Sequence, residues 1–362
     1  MAAPTRDRSA PIRPGEELEL DRLTSYLESR IPELSAGPLE VEQFPSGFSN
    51  LTYLLRAGAH QWVLRRPPFG ARIATAHDMG REFRILEALA PTYGKVPRPV
   101  LFCEDETVLG APFYIMERVE GIILRPHLEP DDAPDSATMG KIAGAFVDTL
   151  AELHRVDFAA AGLGDLGRPQ GYGERQVAGW TKRWQKARID DVPAMERTAR
   201  WLADELPTAS EASLVHNDFK YDNLVLAPED PSQVIAVLDW EMATLGDPLF
   251  DLGTTLGYWV DPDDPPALRA LALSPTTLPG NPQRREIAEA YARASGRDPG
   301  NAVFHYVYGL FKIAVIVQQI YARYRQGHTQ DPRFAHLDRA VEACAQTALQ
   351  AIDRGRIDRL FD

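Results

Sequence analysis

Residues 216–223 read His216-Asn217-Asp218-Phe219-Lys220-Tyr221-Asp222-Asn223. A histidine, two acids, a lysine and two asparagines fall inside eight positions, pinned between two apolar runs, Ala212-Ser213-Leu214-Val215 and Leu224-Val225-Leu226. Asn and Asp are turn residues and tolerate left-handed backbone, so a solvated turn accounts for the stretch taken alone. A catalytic loop accounts for it too, if other parts of the chain supply partners for these groups.

A second polar knot supplies one candidate. Asp239-Trp240-Glu241 follows directly on the apolar run Val234-Ile235-Ala236-Val237-Leu238. A carboxylate at the end of a buried strand is costly unless a cation or a hydrogen-bond donor meets it. The two knots would converge if the strands flanking them pair. Asp218, Asn223 and Asp239 would then offer hard oxygen donors, the kind Mg²⁺ takes together with substrate phosphates.

The remaining composition limits the function classes. At 362 residues the chain exceeds what one hydrophobic core serves, so two lobes are expected. Apolar residues make up 44% and charged residues 25%, an ordinary balance for a globular protein. A formal net charge of −13 disfavours nucleic acid and anionic membrane surfaces as partners. Cys103 and Cys344 lie too far apart for metal-ligand spacing and read as reduced thiols of a cytoplasmic protein. The longest apolar run, GLFKIAVIVQQI at 309–320, carries Lys312 and two glutamines and reads as a buried helix, not a membrane span. The first residues contain charges and prolines without an apolar h-region, so residues 1–20 are expected to be a flexible arm and not a signal peptide.

Periodicity places strands early and helices late. FSNLTYLLRA (48–57) and HQWVLRRPP (60–68) flank a glycine-containing tip and predict a hairpin. AHDMGREFRILEALA (76–90) has Met79, Phe83, Leu86 and Leu89 at helical spacing. Two further apolar runs, VPRPVLFCED and APFYIMERVEG, predict strands. Residues 137–157 predict an amphipathic helix capped by Asp135 or Ser136, helix returns at 194–206, and the last third is mostly helical. This is an α+β chain, with a strand-rich N-lobe over 21–120 and a helical C-lobe over 121–362.

HNDFKYDN resembles the catalytic loop of the protein-kinase-like phosphotransferases, H-x-D-x-K-x-x-N, and Asp239 matches their metal-binding aspartate. The turn is Asp-Trp-Glu, unlike the Asp-Phe-Gly of protein kinases. GDPLFDLG (246–253) is similar to the aminoglycoside phosphotransferase and choline kinase branch. SGFSNLTYLL, VLRRPP, REFRIL and LAELHRVD are similar to the phosphotransferase domains fused to some animal acyl-CoA dehydrogenases. The likeness covers roughly residues 35 to 330.

The resemblance implies a two-lobed kinase-like fold with ATP in the cleft between the lobes. It implies Asp218 as the base that takes the acceptor hydroxyl proton and Lys220 as the group that neutralises γ-phosphate charge. Asn223 and Asp239 would hold Mg²⁺. His216, Asp247 and Asp251 would brace the loop or cap the next helix. Ser46, Gly47, Ser49 and Asn50 would cover the phosphates, in a stretch lacking a full G-x-G-x-x-G. Arg65 stands where protein kinases keep a strand lysine, and Glu82 would pair with it. Residues 116–119, including Met116, Glu117 and Val119, would meet adenine.

The acceptor pocket would draw on Tyr172, Arg175, Gln176, Trp180 and Arg183, whose cationic and aromatic character suits an anionic or amphiphilic substrate. The stripe Phe304, Tyr308, Phe311 and Val315 reads as core. The implied activity is ATP- and Mg²⁺-dependent transfer of phosphate to a hydroxyl, on a hydroxyacyl-CoA or hydroxy acid, in functional pairing with enzymes of acyl-CoA metabolism. The alternatives are an antibiotic- or choline-type kinase and a catalytically silent nucleotide-binding protein.

Overall fold

The structure, a computed structural model, describes residues 9–45, 50–69, 78–126, 128, 133–208, 211–271, 274–300, 302–329 and 331–361. Ser46, Gly47 and Ser49 lie outside the described residues.

The chain forms two compact units. The first contains α1 (Leu20–Glu28), β1 (Glu40–Gln43), β2 (Leu51–Ala57), β3 (His60–Arg66), α2 (Met79–Leu89), β4 (Pro99–Cys103), the short α3 (Glu106–Leu109) and β5 (Phe113–Glu117). Its five strands make an antiparallel sheet in the order β1-β2-β3-β5-β4. The β2–β3 hairpin turns at Gly58, as the sequence pattern predicts, with Tyr53 opposite Leu64 and Leu55 opposite Trp62. One face of this sheet buries Tyr53, Leu55, Leu64, Phe113 and Ile115 against Leu23 and Leu27 of α1. Helix α2 starts at Asp78, whose side chain accepts the Arg81 N–H, and carries Phe83 against the rings of Phe102 and Tyr114.

Two expectations change here. The described part of the N-terminal arm is tied to the sheet, because Ala10 bridges Gln43 and the Tyr53 hydroxyl donates to the Glu16 carbonyl. The lobes are also not two contiguous stretches. Residues 224–241 join the first unit, carrying β7 (Leu224–Leu226) and β8 (Val234–Val237). The reason is backbone pairing: Ile122 and Leu226 exchange both hydrogen bonds, and the Val237 N–H donates to the Lys95 carbonyl. The first unit's N-terminal stretch ends at Ile123, and Ala161–Leu163 also belongs to this unit.

The second unit is mainly helical. It contains α4 (Ser136–Leu153), α5 (Tyr172–Ala187), α6 (Pro193–Asp204), β6 (Ser213–Val215), β9 (Thr244–Gly246), α7 (Pro248–Tyr258), α8 (Pro266–Leu271), α9 (Arg284–Ser295), α10 (Val303–Arg325) and α11 (Leu337–Arg354). The strands flanking the two polar knots do pair, β6 with β9 in this unit and β7 with β8 in the first. Asp135 caps α4 through the Thr138 N–H. Helices α7 and α10 meet at glycines: a Cβ on Gly253 would stand 2.2 Å from the His305 carbonyl oxygen, and one on Gly309 would stand 2.0 Å from that of Gly253. Only glycine permits this approach. By length and apolar composition α10 could cross a membrane, yet most of it is buried inside the protein. The stripe Phe304, Tyr308, Phe311 and Val315 belongs to that core.

Candidate active site

The first unit builds a charge cluster around Arg65. Strand β3 projects this side chain so that one guanidinium nitrogen lies 2.8 Å from Asp239 Oδ1 and 3.4 Å from Glu82 Oε1. Glu82, on α2, is buried and also meets the Tyr114 hydroxyl. Burial alone would favour neutral arginine, but Glu82, Tyr114 and Asp239 hold the guanidinium firmly cationic. Burial pushes the Glu82 carboxyl upward against the pull of Arg65. Asp239 is a non-glycine residue in left-handed conformation, φ 65°. Beside it Trp240 is fixed by donating to the Val237 carbonyl, and Glu241 accepts from the buried Asn50 amide at 2.8 Å. Among the described residues no acceptor meets the buried Arg65 Nε–H.

The second unit builds the loop that holds Asp218. Its carboxylate accepts from the Tyr258 hydroxyl at 2.7 Å and from the Asn223 amide at 2.9 Å, and lies 3.1 Å from Lys220 Nζ. Burial raises the Asp218 carboxyl, but Lys220 and the Tyr258 hydrogen bond outweigh it, so the group sits below its ordinary value and is ionised near neutrality. Asn223 also donates to the Asp218 carbonyl at 2.8 Å, which ties the two ends of the motif together.

The preceding residue, Asn217, is left-handed with φ 66° and is gripped at every polar atom. Its N–H donates to Asp251 Oδ1 at 2.7 Å and its carbonyl accepts from Lys312 Nζ at 2.6 Å. Its amide donates to the Met242 carbonyl at 3.1 Å, and its side-chain oxygen accepts from the Tyr172 hydroxyl at 3.0 Å. Asp251 also accepts the His216 N–H at 2.6 Å and contacts His154 at 3.1 Å. Burial works against the Asp251 charge, and its hydrogen bonds with His154 and with the His216 N–H overcome it, leaving the carboxyl low. Asp247 caps α7 through the Leu249 N–H.

The expected acceptor segment is used differently. Tyr172 is buried and committed to Asn217, and Arg175 donates to the backbone carbonyls of Arg168 and Gln170. Trp180 is buried, donates to Gln176 at 3.2 Å, and carries the exposed Arg183 on its ring at 4.6 Å. Tyr172 therefore works as a brace of the loop. The supposed adenine segment has Met116 buried at the end of β5, while the Glu117 N–H already donates to the Arg98 carbonyl. Val119 packs against Ile123, Val225 and Ala236.

Sequence reasoning assigned no role to His154, Tyr258 or Lys312. His154 sits inside LAELHRVD, and a histidine on a helix face gives no hint of the aspartate it will meet nearly a hundred residues later. Lys312 did leave a signal: one cation in a helix that is otherwise apolar.

Residues 40–300 match the model of the phosphotransferase enzyme family. This chain belongs to that family. A curated relative, acyl-CoA dehydrogenase family member 10 of Mus musculus, is 37% identical over 344 residues, covering 93% of this chain and 31% of the mouse protein. This chain thus spans about a third of that relative's length. Among solved structures, a candidate aminoglycoside phosphotransferase from Ralstonia eutropha JMP134 superposes with a TM-score of 0.78 at 32% identity, covering 93% of this chain and 99% of the other. A thermostable mutant of the aminoglycoside phosphotransferase APH(4)-Ia, solved in a ternary complex with AMP-PNP and hygromycin B, superposes with a TM-score of 0.57 at 18% identity over 90% of this chain and 97% of its own, a likeness of fold. The fold of the family member is kinase-like: a five-stranded antiparallel sheet with its helix, followed by a mainly helical unit.

Proposed function

We propose that this phosphotransferase moves the γ-phosphate of ATP to an alcohol on a small, anionic or amphiphilic acceptor, with a hydroxyacyl-CoA or hydroxy acid as the substrate class. The observation that carries the chemistry is Asp218, an ionised carboxylate held by Tyr258, Asn223 and Lys220 at 2.7–3.1 Å. Such a carboxylate orients an acceptor hydroxyl and takes its proton as the bond to phosphorus forms. Lys220 lies close enough to share its charge between Asp218 and a transferring phosphoryl group.

Magnesium fits the donors available. Among the described residues no three His, Cys, Asp or Glu side chains gather, and Mg²⁺ needs only one or two protein oxygens when phosphates complete its shell. We assign it Asp239 and the Asn223 carbonyl oxygen, whose amide nitrogen is engaged by Asp218. There it would supply charge neutralisation to the phosphates, with Asp239 and Asn223 as the residues that would hold it. Arg65 stays cationic and has a buried Nε–H with no acceptor among the described residues, a donor suited to a phosphate oxygen. Asn50, with Ser46, Gly47 and Ser49, would cover the phosphates, and Met116, Glu117 and Val119 would border the base.

The acceptor class rests on kinship with a relative named as an acyl-CoA dehydrogenase family member, and on the exposed cation Arg183 beside Trp180. Two buried free cysteines suit the reducing cytoplasm in which we place the protein. An antibiotic- or choline-type acceptor is the competing reading.

The test is mass spectrometry of the protein with ATP and Mg²⁺ against hydroxyacyl-CoAs, hydroxy acids, aminoglycosides and choline. A phosphate added to one hydroxyacyl-CoA or hydroxy acid, absent with Asp239→Ala, supports the reading. Product on an aminoglycoside or choline alone replaces the acceptor class. No product and no Mg²⁺-dependent ATP hydrolysis would sink the kinase reading.

A further inference from the structure

We infer that Lys312 is a positioning residue of the phosphotransfer, its buried ammonium holding the backbone carbonyl of Asn217 and through it the orientation of Asp218. This rests on the kinase reading of Asp218.

The geometry starts with the helix. The glycine contacts between α7 and α10 draw the two helices together one turn from Lys312. The lysine is 1% exposed, with Nζ 2.6 Å from the Asn217 carbonyl and 3.4 Å from the Thr254 hydroxyl, and the Trp180 ring centroid 5.7 Å away. A buried ammonium with two oxygen partners and an aromatic face is costly, and an apolar side chain of the same length would fill this helix face without that cost. What the charge supplies is a strong donor to the residue whose backbone sets the exit direction of Asp218. Asn217 is left-handed and non-glycine, so each grip on it offsets conformational strain. Asp251 takes its N–H and Lys312 takes its carbonyl, so the peptide units on both sides are fixed.

The groups facing the ammonium come from every packed element that carries charge near it: Asp218 and Lys220 from the loop, Asp251 from α7, and Arg183 from α5. Burial lowers its pKa to about 8, with the two aspartates opposing the shift. Above that pH the amine is neutral and its donor strength to Asn217 falls.

The decisive variants are Lys312→Met and Lys312→Arg, each read by two methods. The first is the pH profile of phosphotransfer or Mg²⁺-ATP hydrolysis. Lys312→Met is expected to lower kcat by up to about 10²-fold, the scale of a displacement near 1 Å, with KM for ATP changed less than about twofold. The wild-type kcat should fall above pH 8, and Lys312→Arg should remove that alkaline limb because guanidinium stays charged. The second method is hydrogen exchange of the peptide covering residues 213–219, followed without substrate. Its protection factor should drop in the wild type as pH passes 8, and should be low at all pH in Lys312→Met. A folded Lys312→Met protein with wild-type kcat, alkaline limb and protection would overturn the inference. A wild type with no turnover removes the kinase reading alone, and the exchange experiment then decides the grip on Asn217.

Discussion

The molecule solves one electrostatic problem in two ways. Around Arg65, one guanidinium answers two carboxylates, and the cluster is made of full charges: Arg65, Glu82 and Asp239. Around Asp218, the carboxylate is answered by one ammonium and two neutral donors, while the preceding residue, Asn217, is clamped by Asp251, Lys312, Tyr172 and the Met242 carbonyl. Charges held mainly by other charges can exchange partners when a phosphate or a metal arrives. A loop held through fixed hydrogen bonds keeps its shape and gives the reacting carboxylate a defined direction. The first arrangement suits a cluster whose partners change; the second suits a group whose position must not.

The sharpest break in this comparison is Asp218→Asn. It should lower kcat by about 10³-fold, because the amide keeps the shape and loses the base. Full turnover by this variant would remove Asp218 from its role.

Next in size is Asp251→Asn, which replaces an acceptor of two buried backbone N–H groups and should destabilise the protein by about 3 kcal/mol in chemical denaturation. The pH sign follows from the low native carboxyl. Asp251 stabilises above its unfolded pKa, and that stability is lost as pH falls through the lower native value. The gap between wild type and variant should therefore close on acidification; a constant gap would contradict the clamp.

Arg65→Met tests the other region. Leaving Glu82 buried without its cation should cost about 2 kcal/mol and raise KM for ATP more than it lowers kcat. If kcat alone fell, the division between an exchangeable cluster and a fixed loop would not hold. The smallest effect belongs to Tyr258→Phe, which removes one donor from Asp218. It should cost about 1 kcal/mol and a few-fold in kcat, and shift the acid limb of the pH profile upward, since that hydrogen bond helps keep the carboxyl low.

The amino-acid sequence by itself determined the elements and the motif. The alternation through LTYLLRA and HQWVLRR forms β2 and β3, the Asp78 and Asp135 caps start α2 and α4, and HNDFKYDN lies on a loop between short strands. These are local matters of period, capping and turn chemistry, decided within a few residues. Arg65 with Glu82 was also legible, through the family pattern rather than through spacing. Tertiary structure alone decided that 224–241 packs with the N-terminal sheet, that Tyr172 braces the loop, and that His154, Tyr258 and Lys312 converge on it. Those outcomes depend on which backbones pair and how closely two helices pass, and a glycine at 253 says nothing of its neighbour at 309 until both helices are in place. A buried lysine in an apolar helix announces that a partner exists. Only the fold names the carbonyl it holds.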